Sequence, residues 1–201
     1  MKLYYSPGAC SFAPHIALIE AGLPFEAVKV DLRKHTLADG SDYYAINPKG
    51  YVPLLELDDG SRLSEAAVIL QYVADRKPGT LAPAFGTSER YKLMEWLNFI
   101  ATEVHKQFGP LWYPDTPEAT KDKQRATLAK RFGHIAETLG KQPYLMGENF
   151  SIADAYLHTM LNWTGHLKVD LAAFPALQEF QARVAARPAV QAAQKTEHGS
   201  K

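Results

Sequence analysis

Hydrophobic and polar positions in the first 80 residues follow both strand and helix periods. Alternating apolar and polar residues indicate half-buried strands, and apolar residues at helical spacing indicate helices. The segments 52–57 and 61–63 flank Asp58-Asp59-Gly60, a sequence typical of a hairpin turn. The pattern predicts the order βαβαββα, with strands at 2–5, 25–32, 52–57 and 61–63, helices at 12–21 and 64–75, and a weak helix at 40–47.

The pattern changes at Lys77-Pro78-Gly79-Thr80, which interrupts the run of regular elements. Beyond this break, apolar residues recur at helical spacing and no segment shows the alternation of a strand. We therefore expect a mixed α/β domain at 1–80 and an all-helical domain at 86–201. Helices are predicted at 88–107, 117–139, 151–167 and 176–186, with a short one after Pro188.

A four-residue motif marks the start of one of these helices. Ser151-Ile152-Ala153-Asp154 follows Phe150 and precedes an apolar helical segment. The Ser151 hydroxyl can accept a hydrogen bond from the Asp154 N–H, and the Asp154 carboxylate can accept one from the Ser151 N–H. We interpret Ser151 and Asp154 as structural residues rather than catalytic ones.

Composition and charge exclude several classes of function. The 201 residues include 22 Lys+Arg and 22 Asp+Glu, so no basic footprint for nucleic acid is present. A single cysteine cannot form an internal disulfide, and the seven histidines contain no H-x-x-x-H pair, so no metal site is expected. The sequence has no signal-peptide pattern and no long apolar segment, which predicts a cytoplasmic protein without a membrane partner.

Cys10 is the first candidate for chemistry. It lies between a predicted strand and a helix that must begin close to Pro14, since proline is tolerated in the first helical turn. A helix N-terminus lowers the pKa of a thiol and favours the reactive thiolate. Ala13 stands where a dithiol oxidoreductase has its second cysteine, so Cys10 can only form a disulfide with an external thiol. The alternative is an inert buried cysteine.

Three further groups are candidates for binding. Val52-Pro53 begins a strand, and its backbone could pair with an extended ligand; the sequence leaves the isomer of this peptide bond open. Ser64-Glu65-Ala66 leads into a helix whose N-terminus could bind a carboxylate. The spacing of Asn98, Thr102 and His105 predicts one polar helix face. Each has a simpler interpretation, namely a trans bond, a helix cap and a hydrogen-bonded core histidine.

At this point the residues resemble a known family, the bacterial beta-class glutathione S-transferases. The matching segments are 2–5, 7–11, 14–16, 47–53, 63–65, 71–75, 96–106 and 151–157. They include Asn47-Pro48-Lys49-Gly50-Tyr51-Val52-Pro53 and cover nearly the whole chain in the family's order. The resemblance implies a thioredoxin-like N-terminal domain, a helical C-terminal domain, a homodimer and glutathione as the co-substrate, without a metal.

The resemblance also implies roles for individual residues. Cys10 and His105 would meet the glutathione sulfur as catalytic residues. Val52, ahead of the family's cis-proline Pro53, would pair with the cysteinyl backbone. The remaining glutathione-binding residues would be Glu65 and Ala66 at the γ-glutamyl end, Lys34 and His35 at the glycyl end, and Asn98, Thr102 and Glu103, the last reaching the site across the dimer interface. The hydrophobic-substrate pocket would contain Phe108, Tyr113 and Trp163.

The sequence departs from the family's pattern at two of these positions. His35 stands where the family usually has a lysine, and a neutral imidazole lacks the fixed charge that lysine offers a carboxylate. The neighbouring Lys34 is an alternative partner for the glycyl end. Ala66 replaces the usual glycine, which is compatible with a contact made only by the backbone N–H.

The sequence therefore predicts a detoxifying transferase that joins the glutathione thiolate to hydrophobic electrophiles, with thiol–disulfide exchange through Cys10 as a further activity. One alternative is a Cys10-centred thiol transferase or reductive dehalogenase. A second alternative is a module that binds hydrophobic ligands without turnover.

Overall fold

The structure is a computed structural model of the chain, and it describes residues 1–199. Ser200 and Lys201, the last residues of the predicted domain 86–201, lie outside the described residues.

A four-stranded mixed sheet forms the centre of the first part of the chain. The strands are β1 (Lys2–Tyr5), β2 (Glu26–Lys29), β3 (Leu54–Glu56) and β4 (Arg62–Ser64), in the order β2-β1-β3-β4. β1 runs parallel to β2 and antiparallel to β3, with Leu3 opposite both Ala27 and Leu55. β3 and β4 form the hairpin that the sequence predicts at Asp58-Asp59-Gly60.

Helices cover this sheet and make up the rest of the chain. α1 (Phe12–Glu20) and α2 (Ala66–Arg76) belong to the first part, together with a 3-10 turn at Tyr43–Ala45 where the weak helix was predicted. The helices beyond the break are α3 (Ser88–Phe99), α4 (Lys106–Phe108), α5 (Glu118–Leu139), α6 (Ile152–Leu161), α7 (Pro175–Ala185) and α8 (Pro188–His198). This arrangement confirms the predicted fold class, a thioredoxin-like part followed by helices.

The predicted helix at 88–107 is not regular along its length. A π-helical segment, Ile100–His105, separates α3 from α4, and a 3-10 turn at Gly109–Leu111 follows. In a π-helix each N–H bonds to the carbonyl five residues earlier, so it rotates the following side chains relative to an α-helix. Such segments occur often at functional sites.

One hydrophobic core joins the sheet to the helical part. Leu3, Ile16, Ile69 and Leu157 are fully buried in it, since α1 packs against α2, α6 and α8. At its edge, the Arg187 guanidinium binds both carboxylate oxygens of Glu20, at 2.6 and 3.0 Å. A smaller core on the opposite face of the sheet contains Tyr4, Val30, Tyr43, Val52 and Leu54.

The start of α6 is fixed by the buried Asp154 carboxylate. It accepts hydrogen bonds from the Ser151 N–H at 2.8 Å, the Ser151 hydroxyl at 2.7 Å and the Leu145 N–H at 2.8 Å. The carboxylate therefore ties the segment before α6 to the first turn of that helix.

Within residues 1–199, no helix has the length and apolar character needed to span a membrane.

Candidate functional site

A cleft of about 1220 Å³ lies between the sheet and the helical part. The turn after β1, the segment before β3 and the start of α2 form one wall of it. The other wall consists of side chains from the π-helix, α4 and α6 with the residues that follow them, namely Ala101, Thr102, His105, Lys106, Trp112, Tyr113, Tyr156 and Trp163.

Cys10 lies at the base of the cleft, in the turn that precedes α1. Its thiol donates a hydrogen bond to the Val52 carbonyl, with 3.4 Å between Sγ and O. Burial raises the pKa of the Cys10 thiol to about 12, and the backbone N–H groups of Cys10 and Ser11 lower it by less. The N–H groups at the helix start therefore lower this pKa as expected, but the net pKa is raised and the thiolate is not favoured, because loss of solvent outweighs those groups.

The backbone before β3 faces the cleft at Val52. The Val52–Pro53 peptide bond is cis. The preceding carbonyl, that of Tyr51, accepts hydrogen bonds from the Tyr43 hydroxyl at 2.9 Å and from the Asn47 side-chain amide at 2.7 Å. These two bonds hold the segment in place and leave the Val52 carbonyl to the Cys10 thiol.

The start of α2 forms the second polar corner of the cleft. Glu65 has a φ of 71°, uncommon for a residue with a side chain, and its carbonyl accepts from the N–H groups of Val68 and Ile69. The Glu65 carboxylate lies 3.3 Å from Lys49 Nζ, which also reaches the Ser64 hydroxyl at 3.2 Å. Since α2 begins at Ala66, its free N–H groups and one carboxylate stand side by side here.

His105 ends the π-helix on the opposite wall. Its Nδ1 lies 2.8 Å from the Tyr156 hydroxyl, and its ring packs edge-on against Trp163 with 5.1 Å between centroids. Burial, and to a smaller extent the positive charge of Lys106, lower the pKa of His105 to about 4. The imidazole is therefore neutral at pH 7 and can donate or accept one hydrogen bond at each nitrogen according to its tautomer.

Two distant side chains hold the peptide groups of Gly8, just before Cys10. The Gly8 N–H donates to the buried Glu197 carboxylate of α8 at 3.1 Å, and the Trp163 indole N–H donates to the Gly8 carbonyl at 2.8 Å. The other oxygen of Glu197 lies 2.9 Å from Nδ1 of the buried His15. The helical part thus positions the turn that carries Cys10.

The resemblance implies a binding or catalytic role for thirteen residues, and nine of them line the cleft: Cys10, His35, Val52, Glu65, Ala66, Thr102, His105, Tyr113 and Trp163. His35 has a φ of 53° and its ring lies over that of Tyr44, 4.5 Å between centroids.

Four proposed residues lie elsewhere. Phe108 is fully buried against Phe132 and Trp163, so it supports the cleft wall from behind. Glu103 pairs with Arg131 at 2.6 Å, and Asn98 is exposed. Lys34 follows Arg33, and the side chain that reaches the cleft wall there is Arg33. The π-helix explains why Asn98 does not line the cleft. It changes the rotation about the helix axis between residues 98, 102 and 105, so the three do not share one face as they would in an α-helix.

Several residues that line or hold the site were not predicted from the sequence. Arg33, Lys49, Lys106 and Tyr156 line the cleft, and Glu197 holds Gly8. Lys49 and Lys106 fell inside the matched segments, where their charge near Glu65 and His105 was an available signal. Glu197 had no such signal, because it acts on a residue 189 positions away. Among residues 1–199, no group of three or more His, Cys, Asp or Glu side chains is placed to hold a metal ion.

Two family models match the chain. The glutathione S-transferase N-terminal domain matches residues 8–76, and the glutathione S-transferase C-terminal domain matches residues 99–188. These ranges include the Cys10 turn, the Val52–Pro53 segment and the π-helix.

Three known proteins match the chain along almost its full length. The glutathione S-transferase GstA of Escherichia coli O157:H7 is 50% identical over 193 residues, 95% of this chain and 96% of that protein. A sphingomonad glutathione S-transferase solved with glutathione is 44% identical, covers 100% of both chains and has a TM-score of 0.95. The beta-class enzyme of Sphingomonas chungbukensis is also 44% identical over 100% of both chains, with a TM-score of 0.94.

Proposed function

Because the chain belongs to the beta class of the glutathione S-transferase family, we propose that it binds glutathione along the Val52 backbone and joins its sulfur to hydrophobic electrophiles. The observation that carries this proposal is the Cys10–Val52 contact in the cleft, at 3.4 Å. On one side of this contact is the start of α2 at Glu65, which suits an α-amino acid. On the other side are Arg33 and His35. The similarity to glutathione S-transferases over the whole chain favours an enzyme over a module that only binds ligands.

The cleft offers a partner to each part of an extended tripeptide. The free N–H groups of α2 beside Ala66 suit the γ-glutamyl carboxylate, and Glu65 suits its ammonium group. The Val52 carbonyl is an acceptor for the cysteinyl N–H. Arg33 and His35 are available to the glycyl carboxylate, and Arg33 supplies the fixed positive charge that the family's lysine would have given at position 35. Lys34 stays an alternative partner for that end.

The glutathione sulfur would then lie beside Cys10 and His105. When the cysteinyl N–H takes the Val52 carbonyl, the Cys10 S–H loses that acceptor and turns to the glutathione sulfur. Since the Cys10 thiol keeps its proton, it serves as a hydrogen-bond donor to the sulfur rather than as a competing thiolate. The N–H groups at the start of α1 and the Lys106 ammonium add positive potential there. Catalysis on this proposal consists of positioning two reactants and stabilising one anion.

The electrophile would lie on the aromatic side of the cleft. Trp112 and Tyr113 are 48% and 63% exposed at its mouth, and Trp163 forms the wall between them and His105. Flat aromatic surfaces bind apolar substrates through burial and stacking. Phe108 contributes by supporting Trp163 from the core.

We propose further that the protein is a cytoplasmic homodimer. Support comes from large apolar side chains exposed on α2 and α3, where Val68 and Tyr91 are 46% and 61% exposed, since a second copy would cover such groups. Glu103 and Asn98 then remain candidates for contacts at the interface. Sedimentation velocity with wild type and Tyr91→Glu tests this, because a charge in the interface should shift the dimer to monomer; a monomeric wild type would overturn it.

The main proposal is tested by titration calorimetry with reduced glutathione and by turnover of a chloronitroaromatic electrophile. We expect saturable binding with wild type and with Cys10→Ala, because most partners of the tripeptide are backbone or charged groups. Glu65→Gln should weaken binding by about tenfold, since it removes a charge-assisted hydrogen bond. Glu179→Gln on exposed α7 is the control. Absence of heat at millimolar glutathione sinks the proposal.

A second candidate is thiol transfer through Cys10, favoured by the position of its sulfur in the cleft wall. The Cys10 thiolate would attack a glutathione disulfide, forming a mixed disulfide and releasing one glutathione thiolate. The high pKa of Cys10 argues that this step is slow at neutral pH. Cys10→Ala should abolish exchange and retain conjugation; loss of both activities would make Cys10 central to the enzyme.

A further inference from the structure

The hydrogen bond between Tyr156 and His105 has a direction that the surroundings decide. Tyr156 is only 2% exposed, and within residues 1–199 its hydroxyl has one hydrogen-bond partner, His105 Nδ1 at 2.8 Å. If Nδ1 carried the proton, the phenol would accept that hydrogen bond, and its own O–H would have no acceptor among residues 1–199 in a side chain that is almost fully buried, which is costly. If the phenol donates, both groups are satisfied.

We propose that Tyr156 is a positioning residue that donates to Nδ1 and so fixes His105 as the tautomer with its proton on Nε2. This inference rests on the proposed glutathione site. Nε2 makes no hydrogen bond to any described residue, and it is not a buried atom. It is therefore open to the cleft that His105 lines. His105 then offers the sulfur a hydrogen-bond donor and is not a base for the thiol proton.

The groups around the pair keep both partners neutral. Burial raises the pKa of the Tyr156 hydroxyl, which keeps its proton as a donor. Around His105, Lys106 disfavours the imidazolium and Glu65 favours it, and burial dominates both. Edge-on contacts with Tyr156 and Trp163 leave the ring little freedom to turn. When glutathione binds, its thiol proton therefore leaves to water, and the Nε2–H donates to the thiolate that remains.

The direct test is nitrogen NMR of the histidine rings in the ligand-free wild-type protein, with the His105 signals assigned by His105→Asn. We expect a pyridine-type Nδ1 and a pyrrole-type, protonated Nε2. The reverse assignment overturns the inference. This measurement needs no glutathione, and the tautomer is read from the wild-type protein, with the variant used only for assignment. A glutathione site that fails in calorimetry would sink the proposed function and leave the tautomer result standing.

The role in the site is tested with Tyr156→Phe, which removes one oxygen and keeps the ring. We expect the Nδ1 resonance to move toward that of an imidazole without a donor. The thiolate absorbance of bound glutathione at a fixed pH should fall by about twofold to tenfold, as for one lost hydrogen bond. Tyr144→Phe, which removes a phenol outside this cleft, should change neither signal. Unchanged signals in Tyr156→Phe would overturn the positioning role.

Discussion

At the scale of the residue, desolvation decides the chemistry of Cys10. A helix start and a nearby cation both favour a thiolate, but the sulfur is packed at the base of a cleft and donates to a carbonyl. The same effect acts in the opposite direction on His105, where burial favours the uncharged ring. The ligand-free site thus contains two neutral groups where simple rules predict an ion pair.

Alkylation of Cys10 by iodoacetamide tests this assignment. Because the pKa of the thiol is raised to about 12, the rate should be slow at pH 7 and should rise about tenfold per pH unit up to pH 10 without a plateau. Cys10 is the single cysteine, so the added mass reports it without ambiguity, and Cys10→Ser is the blank. A plateau below pH 9 would show that the thiolate is stabilised after all.

His158 gives a second prediction at this scale. It is 2% exposed, and burial lowers its pKa from 6.5 to about 4. The unfolded chain therefore binds a proton that the folded protein does not, and stability should decrease as pH falls from 6.5 to 4, by about 3 kcal/mol from this group. Urea unfolding across this range should show a smaller pH dependence in His158→Gln, and the same dependence as wild type in the exposed His198→Gln.

At the scale of the element, a single carboxylate determines where α6 begins. Asp154 accepts three hydrogen bonds from Ser151 and Leu145 and is fully buried. Asp154→Asn keeps the shape of the side chain but replaces one accepting oxygen with an NH2 group. That group would face the N–H donors of Ser151 or Leu145. We expect a loss of about 1–3 kcal/mol in the free energy of unfolding, measured with urea. Asp115→Asn, on an exposed loop, should change it little; an equal effect would contradict this account.

The elements also show what the sequence could predict. Alternation, the hairpin signal and the capping motif led to the correct fold class, because they depend on neighbours a few residues apart. The π-helix at Ile100–His105 was not predicted, since its apolar residues fit α spacing equally well. For that reason Asn98, which is exposed, was placed on one face with Thr102 and His105; Phe108 was proposed from the resemblance alone and is buried. Arg33 and Tyr156 depend on tertiary packing and had no local pattern.

At the scale of the whole molecule, α8 and the Cys10 turn form one unit. Glu197 binds the Gly8 N–H and His15 together, although it lies 189 residues after Gly8 in the sequence. Glu197→Gln keeps one of the two oxygens that bind Gly8 and His15, and it removes the other oxygen and the negative charge. We expect about 1–3 kcal/mol of lost stability and weaker glutathione binding, because the turn before Cys10 loosens.

Thermal unfolding and calorimetry measure the two effects of Glu197→Gln separately. Glu179→Gln serves as the matched control, since it removes an exposed carboxylate from the neighbouring helix. If Glu197→Gln is destabilised but binds glutathione as tightly as wild type, the contact supports the fold alone and does not position the site.

The bond from Gly8 to Glu197 also has a consequence for biosynthesis. Glu197 is added to the growing chain 189 residues after Gly8, and ribosomes add about 5–20 residues per second. The Gly8 N–H of a nascent chain therefore lacks this acceptor for about 10–40 s after Gly8 is made. During that interval the strands up to Ser64 are synthesised first, Trp163 follows, and Glu197 is added last of the residues that hold the turn. Until Glu197 is added, the turn that carries the single thiol lacks one of the two side-chain contacts that hold Gly8 in the folded protein.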